Sequence, residues 1–187
     1  MKNLRRKIIT IVTLIVGLYL LTLFLNYYGD WLWFNNMHYG SVFDTMLSAQ
    51  ASAFIIFFLV FALFFSLNIR MAFLNGNAAR YNQVLREDDP RKFILQIYQG
   101  KTIFWLWTAA VVFFATIMGS SAIDHWNDFL QFIHASSFGI KEPIFGKDAG
   151  FYVFKLPVYE FIVEKYIFMV IVTAMGTIAS YYLDSAV

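Results

Sequence analysis

The sequence contains no cysteine and only three prolines in 187 residues, and just 14% of its residues are charged. Without cysteine the chain has no disulfide, no thiolate metal site and no cysteine nucleophile. Soluble domains carry about a quarter charged residues, so the scarcity of charge points away from a soluble globular domain. A formal net charge of +2, from 14 Lys and Arg against 12 Asp and Glu, offers no basic face, and no nucleic-acid partner is expected. Gly-rich phosphate loops, an HExxH pair and an ordered Ser, His and Asp set are also missing, so neither an enzyme nor a cofactor is expected. What the chain has in abundance is apolar surface: 60% of residues are hydrophobic and 20% aromatic. At this length that composition fits a small bundle of membrane helices, with the lipid bilayer as the first partner.

Charge at the bilayer centre costs roughly 2.5–3.5 kcal/mol per residue, so uncharged stretches mark the spans. Four occur: 22 residues between Lys7 and Asp30, 25 between Asp44 and Arg70, 22 between Lys101 and Asp124, and 18 between Lys165 and Asp184. At 1.5 Å per residue they reach roughly 27–38 Å against about 30 Å of hydrocarbon. The fourth barely spans, and snorkelling by Lys165 would help it. The first, after Lys2, Arg5, Arg6 and Lys7, is too long for a signal peptide and lacks a small-x-small cleavage site, so it reads as an uncleaved anchor.

Flanking cations set the orientation. Four lie at the amino terminus and six in Arg70–Lys101, against none in Asp30–Asp44 and four in Asp124–Lys165. Ten against four predicts both termini in the cytoplasm. The spans are then about 8–28, 45–69, 102–123 and 166–183, with an inner loop at 70–101 and outer loops at 29–44 and 124–165. Tyr27, Tyr28, Trp31 and Trp33 would form the outer aromatic belt, and Trp105 and Trp107 the inner one.

No repeat, low-complexity tract or linker divides the chain, so 1–187 reads as a single transmembrane unit. In the inner loop, Asp89 and Pro90 predict the start of a short helix, Arg91–Gln99, stopped by Gly100 and lying on the membrane. In the outer loop, Trp126, Phe129, Leu130 and Ile133 recur at helical spacing and predict an amphipathic helix within Asp124–Ser136. From Phe138 to Pro157 the residues are glycine-punctuated and β-prone, especially Phe151–Phe154, and predict irregular or extended structure. So many aromatics in a long loop call for something to pack on: the helix ends, or a protein partner or further region docking on Phe138–Pro157.

All three histidines, His38, His125 and His134, fall in the outer segments, and His125 precedes Asp128 at a metal-ligand spacing. Polar residues at an interface give the same pattern without a metal, and no metal site is assigned. Glu142, Asp148, Glu160 and Glu164 contain no spacing that requires an acid/base pair. Within the spans the polar residues are hydroxyls, Thr108, Thr116, Ser120, Thr173, Thr177 and Ser180. They are accompanied by the small pairs Ala49/Ala53, Ala115/Gly119 and Gly176/Ser180, which let helices approach closely. Helix packing is favoured over a transport pathway, because intramembrane charges and Gly- or Pro-broken helices are both missing.

Asp30–Phe34, Tyr39, Val42–Phe43, Trp126–Gly139, Glu142–Asp148 and Phe151–Pro157, in this order and spacing, resemble uncharacterised protein family 0182, a group of large bacterial inner-membrane proteins. The run Pro143–Pro157 is the most specific part, and no short motif in it is catalytic. The resemblance implies further spans and a large extracytoplasmic domain beyond these residues, so the chain looks like the amino-terminal portion of such a protein. The expectation is therefore an all-α polytopic helical membrane protein: four transmembrane helices, an amphipathic outer helix and a partly extended outer loop. It would sit multi-pass in the cell membrane and anchor an extracytoplasmic structure. A transporter or channel subunit is the alternative.

Overall fold

The computed structural model describes residues 2–75 and 101–185. Its regular elements are helices: α1 (Lys2–Asn36), α2 (Gly40–Asn75), α3 (Lys101–Ile123), α4 (Trp126–Ile133), a π-helical turn (Phe151–Lys155) and α5 (Leu156–Ser185). The all-α expectation holds. Among the described residues, extended pairing is limited to a lone antiparallel bridge between Lys141 and Asp148. Three helical stretches there are long and apolar enough to cross a membrane: Gly40–Ala72, Ile103–Ile123 and Phe151–Tyr181. They coincide with the second, third and fourth expected spans, each helical throughout its uncharged stretch. The first expected span lies within α1. The helix expected at Arg91–Gln99 lies outside the described residues.

The chain forms two compact units, Met1–Ser48 and Ala49–Val187. In the first, α1 turns into α2 through Met37–Tyr39. The Tyr39 N–H donates to the Phe34 carbonyl (2.9 Å) and the His38 N–H to the Asn35 carbonyl (3.1 Å), while His38 sits in the left-handed region at φ 65°. This is the reciprocal pair of a Schellman cap, with histidine where glycine is usual. Phe34 then meets the buried Phe43 at 5.6 Å across the corner. Along α1, Phe24, Tyr28 and Trp31 stack successively at 5.9 and 5.8 Å, one helical turn apart.

The second unit is held by phenylalanine. Phe61, Phe65 and Ile69 of α2 pack with Ala115 and Met118 of α3 and Met169 of α5. Phe61 and Phe65 stack at 5.6 Å, and Phe65 also meets Trp107 at 6.2 Å. Trp107 thus faces the core rather than an inner belt, whereas Trp105 is exposed. Small residues make the closeness achievable. A Cβ on Gly119 would come within 2.8 Å of the Phe54 ring, and one on Gly176 within 3.0 Å of Phe65. Four hydroxyls are spent on their own helices: Thr108, Thr116, Thr177 and Ser180 each donate to the carbonyl four residues earlier.

One expectation is corrected. Residues Phe151–Pro157 are helical, not extended. β-propensity spans only about 1 kcal/mol and tertiary context overrides it; here Val158 and Phe161 are buried in the same continuous helix. Pro157 has no N–H to return to Val153, and the π turn ends just before it, where the α-helical ladder is already interrupted. In α4, which forms where the amphipathic helix was expected, Trp126, Phe129 and Leu130 of the expected stripe are half-buried. Phe129 meets Phe57 (5.7 Å) and Phe161 (5.6 Å), and Phe132 meets Tyr159 (5.7 Å), while Ile133 is 71% exposed. Ile133 is the last residue of the helix and lies beyond these contacts.

Candidate functional site

The polar residues of the second unit gather in two places. The first is the corner between α3 and α4, where α5 passes. His125 Nδ1 lies 2.8 Å from Asp128 Oδ2, and the imidazole sits 4.4 Å from the Phe161 ring. The Lys165 Nζ lies over the same ring at 5.1 Å and donates to Glu164 at 2.8 Å. Lys165 is the less exposed partner of that pair, at 17% against 71%. The i, i+3 spacing of His125 and Asp128 therefore makes a hydrogen bond within one turn. Among the described residues no three His, Cys, Asp or Glu side chains converge as a metal site would require. His134 is the C-terminal cap of α4, and His38 is the left-handed corner residue. The three histidines thus occupy separate structural positions. Glu160 is exposed on α5.

The second place is the loop joining α4 to the π turn. Asp148 organises its base. Its carboxylate accepts from the Ser137 hydroxyl (2.6 Å) and from the backbone N–H groups of Phe138 (3.0 Å), Gly139 (2.9 Å) and Gly150 (2.7 Å). These donors, Ser137 foremost, hold the carboxyl at about pKa 2. Gly150 is required here, because a Cβ would overlap the Ser136 carbonyl oxygen. Paired bonds follow, Ala149 N–H to the Ile140 carbonyl (2.9 Å) and Glu142 N–H to the Lys147 carbonyl (2.8 Å).

Glu142 organises the tip. It accepts from the N–H groups of Ile144 and Phe145, both at 2.8 Å, and from the Tyr152 hydroxyl at 3.2 Å. Its pKa is lowered, chiefly by the Phe145 N–H, with desolvation opposing and Ile144 and Tyr152 adding. Gly139 and Gly146, at φ 72° and 65°, supply the two left-handed turns. Both carboxylates are ionised at neutral pH and saturated with donors, which suits a scaffold and makes them poor proton donors.

In the sequence, Glu142 and Asp148 stand out only as candidate acids, and Ser137 and Gly150 do not stand out. The signal was present: an Asp two residues before a Gly, the mark of a side chain that bonds its own backbone two positions on. Around this scaffold the apolar residues point outward, with Ile140, Ile144 and Phe145 at 69%, 80% and 74% exposure.

An all-α chain with three such apolar helices is built as a helical membrane protein. The chain belongs to the family described as Uncharacterised protein family (UPF0182), whose model matches residues 7–187. It is similar to a UPF0182 protein of Sulfurovum sp. (strain NBC37-1), 54% identical over 186 residues, covering 100% of this chain and 20% of the relative. A UPF0182 protein of Nocardioides sp. (strain ATCC BAA-499 / JS614) is 31% identical over 182 residues, covering 96% and 18%. The chain spans about a fifth of the length of the curated relatives it matches. None of these names carries an activity. No solved structure matches the chain.

Proposed function

We propose that these residues anchor and position an extracytoplasmic structure at the bacterial cell membrane, crossing the bilayer four times with both termini in the cytoplasm. α1 is the first crossing, added to the three long apolar stretches of α2, α3 and α5. The observation that carries this reading is the filling of the space between those three helices. Phe61, Phe65, Met118 and Met169 occupy it with Ala115, while His125, Asp128, Glu164 and Lys165 gather at one end around Phe161 and Arg70, after Ile69, is exposed. Conducting folds set polar ligands near the bilayer midplane, often on broken helices. Close-packed aromatic rings there suit a rigid support.

Purified chain reconstituted into liposomes is the test. Ion and solute flux should equal that of empty vesicles. A saturable flux abolished by His125→Ala or Asp128→Asn would overturn the anchoring role in favour of a transporter or channel subunit.

A further inference from the structure

We infer that the loop at 136–150 is a preformed docking element whose occupant is the extramembrane part of the same polypeptide, gripped through an apolar pocket rimmed with carboxylates. The inference rests on the membrane topology proposed above. Its starting point is the contrast between the loop's interior and its tip. Two carboxylates accept seven hydrogen bonds from Ser137, Phe138, Gly139, Gly150, Ile144, Phe145 and Tyr152. That network fixes a tip on which Ile144 and Phe145 are 80% and 74% exposed. A loop built so tightly to hold large apolar side chains away from its own protein has little conformational entropy left to lose on binding.

Lipid is a poor occupant because of height. The helix from Phe151 to Tyr181 is 31 residues, roughly 46 Å at 1.5 Å per residue, against about 30 Å of hydrocarbon. Lys165, half-buried with its Nζ over Phe161, marks the outer border by snorkelling. Phe151 lies 14 residues further out, about 21 Å along the helix axis, and the loop is attached there, beyond the headgroups. A second copy is a poor occupant because of charge. Glu142 and Asp148 turn their carboxylates onto the loop's own donors, whereas Lys141 and Lys147 flank the tip and are exposed, so a symmetric tip-to-tip contact sets four outward cations together. The same pair favours an acidic rim. The chain covers only a fifth of its relatives' length, which leaves a large stretch of polypeptide to supply that surface.

The test is photo-crosslinking in the product of the complete open reading frame that carries these residues, in its native membrane, with p-benzoylphenylalanine at position 144. Crosslinked peptides should join position 144 to a segment of the same polypeptide outside residues 1–187. Lys141→Glu with Lys147→Glu, both at exposed positions, should lower the yield about tenfold or more by placing like charges at the rim. Adducts with lipid, with a second copy or with a different protein overturn the inference. So do an absence of adducts, a yield indifferent to the charge reversal, or a reading frame holding nothing more. Impermeant thiol labelling of Asn36→Cys in the same product separates the two failures. Labelling from outside without a crosslink sinks the docking alone, and protection from outside sinks the topology beneath it.

Discussion

Gly119→Ala is the sharpest probe of how α2 and α3 meet. The added Cβ would lie 2.8 and 2.9 Å from Phe54 ring carbons and 3.0 Å from the Phe54 carbonyl oxygen, where carbon contacts are comfortable at about 3.5–4.0 Å. The ring can rotate away at a cost, but the carbonyl belongs to α2 itself, so the helices must separate. Overpacking of this kind costs about 1–3 kcal/mol, and the better helix propensity of alanine returns up to about 1 kcal/mol. A net loss of about 1 kcal/mol remains. Ser120→Ala, at the next and exposed position, makes the same propensity change of sign without the clash and should be neutral or slightly stabilising. Reversible unfolding in mixed detergent micelles by SDS gives both numbers. Adding Phe54→Ala should recover the ring part of the loss and leave the carbonyl part, with a coupling of 0.5 kcal/mol or more. If Gly119→Ala is as stable as Ser120→Ala, α2 and α3 do not approach this closely and the packing described here is wrong.

Phe129→Asp should lower stability in detergent by about 3 kcal/mol or more, by placing a carboxylate between Phe57 and Phe161, whereas Ile133→Asp should change it by less than about 0.5 kcal/mol; equal effects would reverse the assignment of the α4 face. The pH dependence of the loop follows from Asp148. Its pKa is depressed in the fold to about 2 from an ordinary 3.8, so the folded loop binds fewer protons. Its stabilisation is complete above pH 3.8 and disappears as pH falls through 2. Relative to the unstructured rate at each pH, hydrogen exchange over 137–150 should stay slow down to about pH 4 and accelerate toward pH 2. Asp148→Asn should accelerate it at pH 7, and an unchanged exchange profile in that variant would mean that the carboxylate does not hold the loop.

The long apolar helices were legible because charge-free length is a physical requirement of the bilayer: α2, α3 and α5 each contain the uncharged stretch expected of them. Their contacts were legible only in outline. The pairs Ala115/Gly119 and Gly176/Ser180 announced close helix approach, but nothing in their spacing named Phe54 and Phe65 as the side chains received. Phe151–Phe154 misled because aromatic and β-branched residues suit both a strand and a buried helix, and periodicity over four residues cannot separate them. The α4 stripe was legible because its apolar positions fall within one arc of about 160° at 100° per residue, and only the exposure of Ile133 at the helix end needed the fold. The loop scaffold was hidden for a different reason: Asp148 reaches Ser137 across 11 positions, a pairing that exists only once the chain has turned back on itself.

The claim on which everything else depends is the placement of the loop outside the membrane. Single-cysteine variants of the 187-residue chain, a background already free of cysteine, test it in intact cells with an impermeant thiol reagent. Asn36→Cys and Lys147→Cys should label from outside, and Asn77→Cys should label only after the membrane is permeabilised. Labelling of Asn77→Cys in intact cells, with the other two protected, would invert the topology and remove the basis for an extracytoplasmic role.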